Sequence, residues 1–170
     1  MYPLQVDIWS IFTDVSIGTW IGFIVTLIAS FGVLHVRRER QKIKLRRALI
    51  AELEQHDLNR VITAVRASEA AVAPGETSEN LELEPAELPP AGTLPTQIYT
   101  SNTGNLGTLS KNEVDDIVEY YSTLLIQKSI IRTIRSGDDA VAADRKELRD
   151  TIPSLEDDRS DLVDTLKDTE

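Results

Sequence analysis

The sequence predicts an all-α protein, with a single N-terminal transmembrane helix continuing into a cytoplasmic antiparallel helical bundle of about three helices. Three observations carry this. Residues 17–36, IGTWIGFIVTLIASFGVLHV, contain no Asp, Glu, Lys or Arg, and at ~1.5 Å per residue a helix of that length covers the ~30 Å hydrocarbon core of a bilayer. Residues 37–73 contain neither Pro nor Gly, and their apolar positions recur at spacings near three and four, the signature of a helix with one buried face. Ser110-x-x-Glu113 is a capping box at the start of a further periodic stretch that stops at Gly137,.

Charge divides the chain in the same places. The net charge of −10 resolves into −2 for residues 1–36, +5 for 37–66 and −13 for 67–170. An acidic chain is a poor nucleic-acid binder, because such binding rests on neutralising phosphates with Lys and Arg; no nucleic-acid partner is expected. Cysteine is absent, which excludes disulfides, thiolate nucleophiles and Cys-based zinc sites. Acid excess, six Lys against twelve Arg, 5% aromatic content and many Thr resemble the composition of haloarchaeal proteins and of their viruses. The rationale is that carboxylates stay hydrated in concentrated salt, where charge repulsion is screened over ~3 Å at 1 M.

Residues 1–16 are expected to form a short extracytoplasmic or interfacial segment, and 17–36 the transmembrane helix. A cleaved signal peptide requires a basic start and a shorter apolar run, whereas here Asp7 and Asp14 precede the run and basic residues follow it,. The segment therefore reads as a retained anchor. Arg37, Arg38, Arg40, Lys42, Lys44, Arg46 and Arg47 follow immediately, so the positive-inside rule orients the protein with its N-terminus outside and its C-terminus in the cytoplasm. These seven are the expected lipid-headgroup contacts. Trp9, Phe12 and Trp20 suit the outer interface, where amphipathic rings settle among headgroups. Gly18, Gly22, Thr26 and Ser30 recur every four residues and form a small-residue stripe of the kind that lets two membrane helices approach closely; the expectation is a homo-oligomer. His35 lies at the inner end of the span and reads as an interfacial helix cap.

Residues 37–73 are expected to form one long basic juxtamembrane helix. Residues 74–95 hold five Pro, two Gly and five Glu; fixed proline dihedrals and self-repelling acids oppose packing, so this reads as an acidic linker or exposed loop. Residues 96–170 complete the bundle as a helical hairpin with an acidic tail. Within it Thr96 is the expected cap of a short helix near 96–102. Val114, Ile117, Tyr121, Leu124, Leu125 and Ile131 mark the apolar face of the next helix. Asp138 or Asp139 opens the last one, which Ile152-Pro153 interrupts before Ser154 restarts it,.

The pattern P-T-x-x-Y-x-S-N followed by L-G-x-L-S-x-x-E-V-x-x-I-V-x-Y-Y, residues 95–121, resembles an element of small single-pass membrane proteins of bacteria, archaea and their viruses. The resemblance implies an architecture of membrane helix, basic helix and short-helix/loop/helix element. It implies no reaction. Tyr99, Asn102, Tyr120 and Tyr121 are its most distinctive residues, either a partner surface or rings and a loop amide that fix a helical hairpin.

Catalysis needs convergent groups with tuned pKa values, and the sequence offers no nucleophile elbow, kinase signature or dinucleotide fingerprint,. Glu52 and His56 stand four residues apart, a spacing two metal ligands can share, yet no further Glu-x-x-His supplies the remaining ligands. The expectation is therefore no enzyme, no metal and no cofactor. The chain reads as a membrane-anchored helical interaction or scaffold protein, with the lipid bilayer, a second copy and an unidentified protein as partners. The alternatives are a membrane-embedded structural protein of a halophilic archaeal virus and a holin-like membrane-perturbing protein.

Overall fold

The computed structural model describes residues 17–70, 88–137 and 142–169. The interfacial segment expected at 1–16, residues 74–87 of the linker and the cap at Asp138 or Asp139 lie outside the described residues. Among those described every regular element is helical: α1 Ile17–Leu53, α2 Leu58–Ala70, a 3₁₀ turn Ala91–Thr93, α3 Gln97–Asn102, a second 3₁₀ stretch Thr103–Thr108, α4 Lys111–Ser136 and α5 Ala142–Asp168. Contacts divide the chain into two units, residues 1–41 and 42–170.

In the first unit, α1 carries one stretch long and apolar enough to cross a membrane, with a mean hydropathy of 1.7 over eighteen residues and none of that window buried. Phe23, Ile28 and Phe31 are all more than half exposed. Thr26 Oγ1 donates to the Gly22 carbonyl at 2.8 Å, and Ser30 Oγ to the Thr26 carbonyl at 2.7 Å. Both hydroxyls are thus satisfied within the helix.

The second unit is built around leucine and isoleucine stripes. Leu45, Leu49 and Leu53 of α1 and Leu58, Val61 and Val65 of α2 are buried. They share one core with Ile117, Tyr121, Leu124, Ile131 and Ile134 of α4 and with Leu148, Ile152, Leu155, Leu162 and Leu166 of α5. The capping box forms as the sequence predicts: Glu113 N–H donates to Ser110 Oγ at 3.4 Å, and Ser110 N–H to Glu113 Oε2 at 2.9 Å. Gly137, at φ 72°, closes α4 with its N–H on the Ile134 carbonyl, a left-handed position that suits glycine.

Four expectations change. The helix expected over 37–73 breaks after Leu53 and resumes at Leu58, with no Pro or Gly to mark the break. Tight bonds from Gln55 N to Glu52 O and from His56 N to Leu53 O end α1; Asp57 Oδ1 then accepts from Arg60 N at 3.3 Å and starts α2 as a capping carboxylate. Proline 153 does not interrupt the last helix but lies inside α5. A proline there costs ~3 kcal/mol, whereas Leu148, Ile152 and Leu155 around it are 0% exposed, each contributing ~1.5–3 kcal/mol by burial, so packing carries the helix through.

The end of the acidic linker is core rather than exposed loop: Leu88, Ala91 and Leu94 are buried, and Arg135 donates to the Leu88 carbonyl. Finally, Leu125, assigned above to the apolar face of α4, is 40% exposed beside Ile126. Tyr120 takes the buried place instead.

Candidate functional site

A dense polar cluster of the second unit gathers at the base of the short helix α3, where the Glu52–Asp57 turn, residues 95–99 and the middle of α4 meet. Glu52 is 2% exposed. Its Oε2 accepts from Ile98 N at 2.6 Å, and its Oε1 from Tyr99 N at 3.1 Å and from the Tyr121 hydroxyl at 2.9 Å. These amides belong to the first turn of α3, whose donors have no partner inside the helix. Glu52 therefore caps a helix that begins 45 residues later in the chain.

Thr96, the expected cap, makes no side-chain cap bond. Its hydroxyl accepts instead from Lys128 Nζ at 3.0 Å.

His56, 4% exposed, is bonded through both ring nitrogens. Nε2 lies 2.6 Å from the Pro95 carbonyl and Nδ1 lies 2.6 Å from the Tyr120 hydroxyl. A carbonyl can only accept, so Nε2 carries the proton; in the neutral ring Nδ1 then accepts from Tyr120. Burial pushes the His56 pKa below its ordinary value, outweighing the raising effects of the Pro95 carbonyl and the Glu52 carboxylate, while Arg159 and Lys128 add to the lowering,. Burial likewise raises the phenols of Tyr120 and Tyr121, so both remain protonated donors at neutral pH.

The rings pack as a cluster. Tyr99 stacks on Tyr121 with centroids 4.1 Å apart and planes within 3°, and Tyr120 meets Tyr121 edge to face at 5.3 Å, geometries worth ~0.5–1.5 kcal/mol each beyond area burial. Arg159 of α5 closes the cluster by donating to the Leu53 carbonyl at 3.3 Å and pairing with Glu156 at 2.5 Å.

Of the four distinctive residues of the 95–121 element, the structure brings Tyr99, Tyr120 and Tyr121 together. Asn102 stands apart, donating to Ile98 O at 2.9 Å and accepting from Asn105 Nδ2 at 3.3 Å, which fixes the loop locally. Glu52 and His56 meet in one cluster, but they bind amides, a phenol and a carbonyl instead of sharing a ligand. Among the described residues no group of three His, Cys, Asp or Glu could hold a metal.

The basic run divides. Arg37, Arg38 and Arg40 are exposed in the first unit, and Lys44 and Arg47 are exposed in the second, with Lys42 half-buried. Arg46 corrects the expectation of a headgroup contact: its side chain is buried against Glu113, with Nε at 2.7 Å from Oε1 and Nη2 at 3.1 Å from Oε2. Its Nη1 also reaches the Thr169 carbonyl at 2.7 Å. The fork geometry explains the choice of arginine, which matches a carboxylate with two parallel bonds.

Sequence reasoning missed Arg46, Glu113, Lys128 and Arg159 as long-range partners. The usable signal was Glu52 and His56 themselves, two polar residues beside the buried Leu49 and Leu53 stripe. Beside the cluster, Tyr120 also lines a cleft of about 240 Å³ with Asp116, Glu119, Asp158 and Asp161. Comparison with protein-family models, curated proteins and solved structures returns no match for this chain.

Proposed function

We propose that the protein is a single-pass membrane anchor bearing a cytoplasmic helical interaction scaffold, and that it self-associates. The observation that carries this reading is the apolar stretch of α1, exposed along its whole length and followed at once by Arg37, Arg38 and Arg40. In water that surface would be a severe aggregation liability. In a bilayer it is the anchor, and each adjoining cation gains ~1 kcal/mol from anionic headgroups at ordinary ionic strength. The excess of Lys and Arg after the span supports a cytoplasmic C-terminus.

Scaffolding, rather than catalysis, is favoured because Glu52 and His56, the strongest candidates for acid–base chemistry, already spend both oxygens and both ring nitrogens on hydrogen bonds. A general base must be free to reach a substrate proton.

Two experiments test the reading. Protease added to intact cells is expected to leave the C-terminal tail intact and to cleave it only after permeabilisation; cleavage in intact cells reverses the topology. The stripe of Gly18, Gly22, Thr26 and Ser30 is the proposed contact between copies. A Cβ at Gly22 meets nothing within 4 Å, so Gly22→Leu is accommodated by a single chain and its effect reports association. It is expected to abolish crosslinked dimers in membranes, and unchanged crosslinking removes the stripe as the interface.

A further inference from the structure

The polar cluster at the base of α3 holds a titratable ring that bonds one segment through Nε2, at the Pro95 carbonyl, and α4 through Nδ1, at the Tyr120 hydroxyl. Residues 91–109 contain no charged side chain, so pH cannot act on that segment directly. Its bonds to the rest of the second unit converge on a short stretch: Glu52 takes the Ile98 and Tyr99 amides, His56 takes the Pro95 carbonyl, and Asp57 N–H takes the Thr93 carbonyl at 3.4 Å. Lys128 adds the bond to Thr96.

We propose that His56 is a proton-operated latch for residues 91–109, closed by the neutral ring and opened when a second proton on the ring reverses its bond with Tyr120. The neutral ring accepts from the Tyr120 hydroxyl at Nδ1. A proton taken from solvent at Nδ1 turns that nitrogen into a donor, and the Tyr120 hydrogen must then leave the shared line and find another acceptor.

The surroundings oppose the resulting cation. From α4, Lys128 and the phenols of Tyr120 and Tyr121 face the ring; from α5 comes Arg159, with Glu156 and Asp158 acting on Tyr120; and from α1 comes Glu52. Glu52 is the carboxylate that attracts the ring, and both its oxygens hold α3. An imidazolium therefore either remains beside two cations or draws Glu52 from the amides it caps. Nε2 keeps its bond to the Pro95 carbonyl in either case; the segment is loosened in the first by repulsion of Lys128 from its bond to Thr96, and in the second by loss of the α3 cap. Because burial lowers the pKa of the docked ring, protonation favours the open form, so closure is complete above the ordinary histidine range and weakens as pH falls below ~6.5. The latch lies wholly in the second unit and does not depend on the membrane reading.

Hydrogen exchange of the full chain in phosphatidylcholine nanodiscs, corrected for intrinsic rates, tests this. Between about pH 7 and about pH 5, protection at Gln97–Asn102 is expected to fall ~10-fold or more, while amides of Ile130, Ile131 and Ile134 in α4 keep theirs. His56→Gln retains an amide donor for the Pro95 carbonyl and does not titrate, so its α3 protection is expected to stay flat. A flat wild-type profile, or the same pH dependence in His56→Gln, overturns the latch. Should His56→Gln lack α4 protection at neutral pH, the wild-type chain decides: the midpoint of α3 release must coincide with the His56 titration followed by NMR. Separate midpoints overturn it.

Discussion

Glu52→Leu is expected to destabilise the second unit by about 2–5 kcal/mol, with α3 released first. The substitution strands three donors, the Ile98 and Tyr99 amides and the Tyr121 hydroxyl. Each costs ~1–3 kcal/mol when buried and unpartnered, against ~1.5–3 kcal/mol returned by burying leucine. The loss is a large part of the ~5–15 kcal/mol that holds a typical domain. Glu52→Gln separates charge from hydrogen bonding, since its amide oxygen can still accept while its NH₂ group faces another donor; an intermediate loss is expected. Urea unfolding followed by far-UV circular dichroism gives the magnitudes, and hydrogen exchange at Gln97–Asn102 gives the location. A Glu52→Leu protein within about 0.5 kcal/mol of wild type, the range of an ordinary surface substitution, sinks the assignment of Glu52 as the cap of α3.

What could be read from the sequence follows from the range of the interactions. The capping box at Ser110 and Glu113 and the stop at Gly137 are local, set by residues within one turn, and both are found where the pattern places them. The apolar run of α1 is legible for the same reason, because composition and length alone define it. The break at 54–57 was legible only in part: Asp57 is a local capping residue, but Asp57 N–H also bonds to Thr93 and Arg159 to Leu53, partners far along the chain. Pro153 misled in the opposite direction. A local helix breaker was overruled by Leu148, Ile152 and Leu155 packing on one face.

The site was half legible. Glu52, His56 and the three tyrosines were singled out, but not that they belong to one cluster, because Glu52 and Tyr121 are 69 residues apart in the chain. The Thr96 cap shows the limit of local rules most plainly. Its hydroxyl has the right chemistry and position, and Lys128 claims it while a carboxylate from another helix does the capping.

Arg46→Met is expected to cost about 3–5 kcal/mol, the usual penalty for leaving one partner of a buried ion pair without the other. Burial disfavours ionisation of Glu113, but the Arg46 guanidinium and the hydroxyl and amide of Ser110 outweigh it and hold the carboxyl at about 2, down from 4.5. Arg46 and Ser110 share that lowering, so the ionised carboxyl stabilises the folded second unit,. Its sign is that of a depressed acid. The contribution is complete above about pH 4.5 and is lost as pH falls toward 2,.

Urea midpoints measured across this range test the pair. Wild type is expected to weaken steeply between pH 4.5 and about 2, and both Arg46→Met and Glu113→Gln to lose most of that slope while starting from lower stability. The double variant Arg46→Met/Glu113→Gln is expected to lose less than the sum of the single changes, because each single change leaves a buried polar group that the double change removes. Additive losses, or an acid slope that survives in Glu113→Gln, would show that the pair is not the acid-sensitive joint. Arg46 belongs by sequence to the run of cations after the apolar stretch of α1, yet its fork holds the cap of α4 and the carbonyl of Thr169. Neutralising it should therefore weaken the second unit, whereas, on the proposed membrane reading, neutralising its exposed neighbours Arg37, Arg38 and Arg40 should weaken only the attraction to anionic lipid.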